Sequence, residues 1–471
     1  MDATVFRAAA RQIADYIVDY IENIRERPVF PSVKPGYIKQ YIPSTAPQNG
    51  EPWSAIFADI DRVIMPGITH WQSPNFHAYF MTAQSYPSVI ADMLSSGLGV
   101  LGFSWIASPA CTELEMQMMD WLAKMLTLPN HFMFSNGGKG GGVIMNSASE
   151  ATLITLLGAR SKVLAEHGND KTLITKLVAY ASDQSHSSVE RAALLGAVQM
   201  KLLPTIASDN HSLRGDVLRE QIKKDRANGL IPFFVVATLG TTGILAFDNI
   251  TEVGKVCSEE NVWLHIDAAY AGSAYICPEF RHHLNGIEYV SSFNMNPYKW
   301  LLISFDCSAL WLKNRDYIVD AFNVNPVYLQ HIHQGHMPDF RDWQISLASP
   351  FRSLKMWFVF RSYGIKGLQN HIRKQVGLAK YFQSLLLKDD RFELSAPVEM
   401  NLVCFRLKGT DALNEKFVKL INDGKAIHLT PTRVGGQFII RFMVSARTIE
   451  VRDIDFAWNE FQRQALIALT L

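Results

Sequence analysis

The stretch VWLHIDAAY (262–270) is an apolar run interrupted by one histidine and one carboxylate, Asp267. It does not alternate between apolar and polar residues, so it reads as a strand buried on both faces and not as the half-exposed strand of an antiparallel sheet. Three similar runs, LVAYAS (177–182), PFFVVATLG (232–240) and CSALWL (307–312), are separated from it by helical lengths of sequence. Short apolar strands alternating with helices from about 86 to 360 predict an α/β domain, with a mostly parallel central sheet and helices on both faces. Such a sheet gathers its ligands at the carboxyl ends of its strands. Asp267 stands at one of those ends.

The flanking sequence has a different texture. Ile13, Tyr16, Ile17, Tyr20 and Ile21 recur at steps of three and four, predicting an amphipathic helix, and Pro28, Pro31, Pro35 and Pro43 then break the chain into an extended arm. After about 361 come a helical stretch, Ile372–Leu387, and two strand-like runs, NLVCFRL (401–407) and QFIIRFMV (437–444). Three regions are therefore expected: an N-terminal helical arm (1–85), a large domain (86–360) and a smaller C-terminal α+β domain (361–471). The arm has two uses open to it, packing on its own domain or on a second subunit.

With 471 residues the chain exceeds what one hydrophobic core usually supports. A net charge of +1 without basic runs gives no electrostatic case for nucleic acid or an anionic membrane as partner. No run of about 18 apolar residues suggests a membrane span. The first thirty residues lack the continuous apolar stretch of a signal peptide. Five cysteines, odd in number and without a CxxC pair, argue against a disulfide framework and against zinc. A soluble, cytoplasmic protein acting on a small molecule, with no metal, is the expectation.

Four features fall where the sheet would place chemistry. In GGKGGGVIMNSASEATLITLL (137–157), glycines precede a capping-box pattern, Ser147-x-x-Glu150, ahead of a periodic helix. Ser147, Ala148 and Ser149 would present amides and hydroxyls at a helix N-terminus, a setting that stabilises a phosphate. An ordinary glycine turn with a cap explains the same residues. Asp267 suits a structural cap, a metal ligand or a partner for a cationic ring nitrogen; no second carboxylate lies nearby in sequence. Lys299, in NMNPYKW (294–300), sits between aromatic residues, and partial burial makes an amine nucleophilic. His186, in SDQSHSSVERA (182–192), follows a strand and precedes a helix, and alone is as well explained as a structural histidine.

The order serine turn, histidine, aspartate, lysine is more specific than any member. Together with SPNFHAYF (73–80), GFSWIASPACTELE (102–115), ATLGTTG (237–243), HIDAAYAGSA (265–274) and PFRSLKMWFVFR (350–361), it resembles the group II pyridoxal-5′-phosphate (PLP) decarboxylases, most closely the animal, insect-like aromatic-L-amino-acid (DOPA) decarboxylases. The resemblance runs from about 1 to 460. It implies the PLP-dependent transferase-like fold type I and a homodimer with shared active sites, the N-terminal arm wrapping the neighbour. It implies that Lys299 holds PLP as a Schiff base, that Asp267 keeps the pyridinium nitrogen protonated and that His186 stacks on the ring near the substrate carboxylate. Ser147, Ala148, Ser149 and Asn296 would hold the phosphate, and Thr242 and Ala269 the ring region. Trp71, Tyr79, Phe80 and Thr82, with Leu101 and Phe103 from the partner, resemble the substrate pocket. NPVYLQH (325–331) resembles the mobile catalytic loop, with Tyr328 as proton donor.

Three positions depart from the family pattern. Tyr298 stands where histidine is usual, beside the lysine and the phosphate; Met81 replaces proline; and Ala348 replaces a pocket glycine, where histidine decarboxylases of the family carry serine. The expected activity is decarboxylation of an aromatic L-amino acid (DOPA, 5-hydroxytryptophan, tyrosine or similar) in catecholamine-type metabolism. The alternatives are an aromatic acetaldehyde synthase of the same family, and histidine decarboxylase. His186, Tyr79, Phe80 and Tyr328 match the decarboxylases and not the insect aldehyde synthases, which tend to carry asparagine at the histidine position.

Overall fold

The computed structural model describes residues 1–335 and 337–470. Their contacts group the chain into two compact units: Thr82–Val376 with the short stretch Arg433–Gly436, and Met1–Met81 with Gly377–Thr432 and the chain from Gln437 on. Where three consecutive regions were expected, the N-terminal 81 residues and the C-terminal segments thus form one body. Helical structure from Ser353 passes position 361 and kinks at Gly364, whose φ of 62° is not helical, before resuming to Leu386.

The larger unit is built on seven strands: β1 (Gly141–Met145), β2 (Leu177–Ser182), β3 (Gln199–Leu203), β4 (Ile231–Thr238), β5 (Trp263–Asp267), β6 (Ser292–Met295) and β7 (Ser308–Leu312). They lie in the order β1-β7-β6-β5-β4-β2-β3. Only β7 runs against the others, pairing antiparallel with both β1 and β6. Every residue of β1, β2, β5, β6 and β7 is buried, as continuous apolar runs require. One core cluster joins β2 and β4 to the helix Ala148–Glu166 through Ile154, Leu156, Ala179, Phe234 and Val236. The strands that read as buried runs are therefore the strands of the sheet.

The other unit carries a four-stranded sheet, ordered β10-β11-β9-β8, of β8 (Phe392–Leu394), β9 (Leu402–Leu407), β10 (Thr430–Val434) and β11 (Gln437–Met443). Its core holds Val29, Phe76, Ala78 and Met81 from the N-terminal stretch beside Phe382, Phe405, Phe442 and Phe461. Backbone bonds lace the two stretches together: Val29 N–H donates to Lys425 C=O (2.9 Å), His77 N–H to His428 C=O (3.0 Å) and Met443 N–H to His77 C=O (3.2 Å). Arg25 adds an ion pair to Asp453 at 2.8 Å. Met81, one of the three departures from the resembled pattern, fills this core at 1% exposure. The predicted N-terminal helix spans Ala3–Glu22, capped by Asp2, and of its periodic apolar residues only Ile21 is fully buried.

β1 is an edge strand, so its outward N–H groups need partners other than a neighbouring strand. The helix Pro109–Leu126 supplies one: buried Glu115 accepts the Ile144 N–H at 2.8 Å. Burial pushes the Glu115 carboxyl up to about 7, against the opposing pulls of that bond and of nearby Arg352. A carboxyl whose folded pKa is raised favours the neutral fold, so its ionisation costs stability as pH rises from the ordinary carboxylate range through 7. The full cost is on the order of 3 kcal/mol. Glu115→Gln keeps an acceptor for Ile144 and cannot ionise. Its melting temperature relative to wild type should therefore be higher at pH 8 than at pH 5; a difference that does not change with pH would show that Glu115 ionises normally.

Candidate active site

Because β1, β2, β4, β5 and β6 share one direction, their carboxyl ends line one edge of the sheet, and Ser147, His186, Asp267 and Asn296 lie at or just past these ends. Asp267 ends β5, is buried, and accepts the Ala269 N–H at 3.0 Å. The Ala269 carbonyl takes the Asn296 N–H (3.0 Å) just past β6, and the Asn296 carbonyl takes the Lys299 N–H (2.9 Å). Hydrogen bonds thus connect carboxylate to lysine, residue by residue. The Asn296 amide is buried: one N–H donates to the Tyr298 hydroxyl (3.0 Å), and its oxygen accepts from Ser308 (2.6 Å). Lys299 is half-buried on the single-turn helix Pro297–Trp300. The ring of Trp300 behind it stacks on Tyr270, centroids 4.9 Å apart and 8° from parallel.

His186 caps the helix Ser187–Leu195 beyond the end of β2. Its Nδ1 accepts the Ser188 N–H at 3.1 Å. An amide can only donate, so Nδ1 carries no proton and the neutral ring is protonated on Nε2. Burial of one side of the ring lowers its basicity, the Asp267 charge raises it and Lys299 lowers it again. The imidazole, the carboxylate and the amine are therefore within electrostatic reach of one another. Tyr298 feels the same surroundings: burial first, then Asp267, push its hydroxyl up to about 12, keeping the phenol neutral.

Past β1, Ser147 caps the helix Ala148–Glu166, its Oγ accepting the Glu150 N–H at 3.2 Å. The return bond of the capping box falls one residue earlier than the sequence pattern suggests. Glu150 accepts from the backbone (3.0 Å) and the side chain (2.5 Å) of Asn146. The first intrahelical donor is Ala151, to the Ser147 carbonyl, so the Ala148 and Ser149 amides precede the ladder, as donors for an anion must. Arg352 completes the turn by donating to the Asn146 side-chain oxygen and to Asp306. Asn146, Asp306 and Arg352 carried no role in the sequence argument. The signal present was the PFRSLK run itself, which no single-residue chemistry explained.

The other predicted residues are placed as follows. Ala148 is buried, Ser149 and Thr242 are exposed, and Ala269 and Thr82 are half-buried. The Ala83 N–H next to Thr82 donates to the Tyr298 carbonyl (2.6 Å). The backbone between Leu101 and Phe103 runs beside that next to Ala348, the Gly102 N–H donating to the Ser349 carbonyl (2.9 Å). In the other unit Trp71 stacks on Tyr79 (5.4 Å, 11°), the Phe80 ring lies under the Arg441 guanidinium at 5.1 Å, and Tyr79 holds a left-handed φ of 56°. Tyr328 projects into solvent at 81% exposure, so in the single chain it stands apart from the buried group around Asp267. Among the described residues no cluster of three or more His, Cys, Asp or Glu is arranged for a metal.

This donor set fits PLP: a capped helix N-terminus for a phosphate, a buried carboxylate for a ring nitrogen and an amine for an aldehyde carbon. The chain matches the model of the pyridoxal-dependent decarboxylase conserved domain over residues 35–408. It is 56% identical to the aromatic-L-amino-acid decarboxylase of Mus musculus, over 98% of this chain and 97% of that protein. Its fold superposes on Catharanthus roseus tryptophan decarboxylase, solved with L-tryptophan, with a TM-score of 0.95 at 41% identity, covering 99% of each chain. It superposes on Rhodiola rosea 4-hydroxyphenylacetaldehyde synthase with a TM-score of 0.93 at 40% identity, again covering 99% of each. A sheet whose strand ends assemble such a donor set, in a chain matched over most of its length, belongs to the pyridoxal-dependent decarboxylase family.

Proposed function

We propose that this chain removes the carboxylate of an aromatic L-amino acid as carbon dioxide and releases the amine, with PLP attached through Lys299. The observation that carries the reading is the placement of Asp267 at the end of β5, Lys299 just past β6 and His186 past β2, on the one edge where these parallel strands end. The relatives named above supply the aromatic substrate class.

When bound, PLP supplies a conjugated cationic ring that takes up the electron pair left as the carboxylate departs. Asp267 is assigned to hold the proton on the ring nitrogen, and the Ser147–Ala148–Ser149 turn with Asn296 to hold the phosphate. Thr242, Ala269 and Tyr298 are assigned to the cofactor's surroundings. The buried phenol of Tyr298 keeps its proton and acts as a neutral hydrogen-bond group where the family more often has an imidazole. His186 has its Nδ1 occupied by Ser188, which leaves the Nε2–H to orient the substrate carboxylate. Trp71, Tyr79, Phe80, Thr82, Leu101, Phe103 and Ala348 are assigned to the substrate side chain. An apolar lining removes water from a carboxylate that must leave as a neutral molecule. Tyr328 is assigned to deliver its phenolic proton to the substrate α-carbon.

Tyr328 requires a covering surface to do this, and a second copy of the chain is the occupant we assign. Val324, Val327 and Ile332 around it are each more than 70% exposed, and Ile90, Met93, Leu94 and Leu98 leave the helix Tyr86–Leu98 with an uncovered apolar face. Exposed apolar area of this kind marks an interface. Among the described residues no helix is long and apolar enough to cross a membrane, and all five cysteines are buried and outside any disulfide. The thiols suit the reducing cytoplasm, where we place the enzyme.

Borohydride reduction followed by peptide mapping tests the attachment. The pyridoxyl group should be found on Lys299, and Lys299→Ala should lose both the adduct and nearly all turnover. An adduct on another lysine would refute the assignment. The role of Tyr328 is tested by product analysis. Once carbon dioxide has left, protonation of the α-carbon gives amine, whereas attack by dioxygen gives aldehyde, ammonia and hydrogen peroxide. Wild type should form mainly amine. Tyr328→Phe keeps the ring shape without the proton and should shift a large share to aldehyde and peroxide. Peroxide released in step with carbon dioxide by the wild type would instead favour an aldehyde synthase, as in the Rhodiola rosea relative.

A further inference from the structure

Arg352 comes from PFRSLKMWFVFR, a run to which the site as described gives no task. Its guanidinium is buried, at 5% exposure, and donates in several directions. Nη2 reaches the side-chain oxygen of Asn146 and Asp306 Oδ2 (2.9 Å); Nε reaches the same Asp306 oxygen (3.2 Å), and Nη1 the Ile144 carbonyl (3.5 Å). These partners lie 206 and 46 residues away for Asn146 and Asp306, so one side chain ties together segments that local structure does not connect.

Each partner leads to a different part of the site. Asn146 precedes Ser147, and its amide and backbone N–H groups are both spent on Glu150, whose own N–H is held by the Ser147 hydroxyl. The path Arg352–Asn146–Glu150–Ser147 therefore sets the conformation of the turn at the helix N-terminus. Asp306 lies in the connection after Lys299, one residue before Cys307, whose carbonyl accepts the Tyr298 N–H (3.4 Å). Lys355, also buried and from the same run, secures that connection by donating to the Ser304 carbonyl (3.3 Å) and lying 4.0 Å from Asp306. An arginine suits this post because its planar fork serves two acceptors at once, which a lysine cannot do in the same geometry.

We propose that Arg352 is a positioning residue for the cofactor's phosphate: it braces the Ser147 turn against the segment carrying Lys299. The proposal rests on the PLP reading given above. A brace of the phosphate turn affects PLP and leaves pyridoxal, which has no phosphate, nearly untouched. General loosening of the fold affects both equally.

The test is the dissociation constant of PLP and of pyridoxal for the full-length chain freed of cofactor, compared between wild type and Arg352→Lys. The lysine keeps the charge but loses the fork, so the PLP constant should rise about tenfold, the value of one or two charge-assisted hydrogen bonds. The pyridoxal constant should change less than about twofold, within the reach of a neutral contact. Asn146→Ala cuts the same path while leaving the Arg352–Asp306 pair intact, and should give the same selective loss; it carries the test if Arg352→Lys does not fold. An unchanged PLP-to-pyridoxal ratio in whichever variant folds overturns the proposal. A wild type that bound neither aldehyde at Lys299 would overturn the cofactor reading as well, which separates the two failures.

Discussion

Strands β2, β5 and β6 are buried on both faces along their whole length, and this constraint places the chemistry of the larger unit. A side chain within such a strand is cut off from water, and there an unpaired polar group costs several kcal/mol, about 2–7 by transfer measurements. Tyr180 and His265, inside β2 and β5, are paired with Asp225 and Ser292. Polar groups intended for a ligand must therefore stand where a strand stops and the backbone turns. Asp267 is the last residue of β5, Asn296 is one residue past β6, and His186 is four residues past β2. Parallel direction then does the assembly: strands running the same way end on the same edge, and neighbouring ends are one strand spacing apart. The hydrogen-bonded sequence from Asp267 through Ala269 and Asn296 to Lys299 is that adjacency expressed in bonds.

The same constraint explains what the amino-acid sequence made legible. Unbroken apolar runs announce double-sided burial, and the polar residue that ends each run announces a strand end. Asp267 and His186 could therefore be singled out before any coordinates, and so could the Ser147 cap, whose signal is local. Three things were not legible, each because it depends on residues far apart in the chain. The N-terminal stretch enters the core beside Phe405 and Phe442 through Val29, Phe76 and Met81, and no periodicity within residues 1–85 encodes that partner. The capping box closes on Asn146 and not on Ser147, a one-residue shift decided by side-chain reach. Arg352 lies 206 residues from the turn it braces, and nothing in PFRSLK names Asn146 as its acceptor.

Electrostatically the site is arranged around groups kept in one protonation state. Nδ1 of His186 is committed to an amide, so protonating the ring there means losing that bond as well as paying for burial beside Lys299. Tyr298 is held as a neutral phenol by burial and by Asp267. The buried cations Arg352 and Lys355 face Asp306 and Asp92, so the region behind the Ser147 turn holds compensated charge and not a bare excess. Buried ion pairs of this kind contribute little to net stability, because desolvation offsets most of the attraction. Breaking one is expensive, because the remaining charge is stranded. What such a pair supplies is geometry: it is stable in one arrangement and costly in every other.

The loop bearing Tyr328 follows the opposite logic. Val324, Val327, Tyr328 and Ile332 lie within nine residues and are all strongly exposed, a local composition that water does not favour. The residues between them are nonetheless tied down. His331 Nε2 lies 3.0 Å from both oxygens of Asp339, and Arg341 donates to the Leu329 carbonyl at 3.2 Å. A segment tied in this way, with its apolar side chains facing water, gains further stabilisation when another surface covers them. Such a segment keeps its contribution to chemistry conditional on that cover, whereas the strand-end residues are in place at all times. On the role proposed for Tyr328, the division separates the residues assigned to the cofactor, fixed by hydrogen bonds at strand ends, from the residue assigned to the proton, which awaits a covering surface.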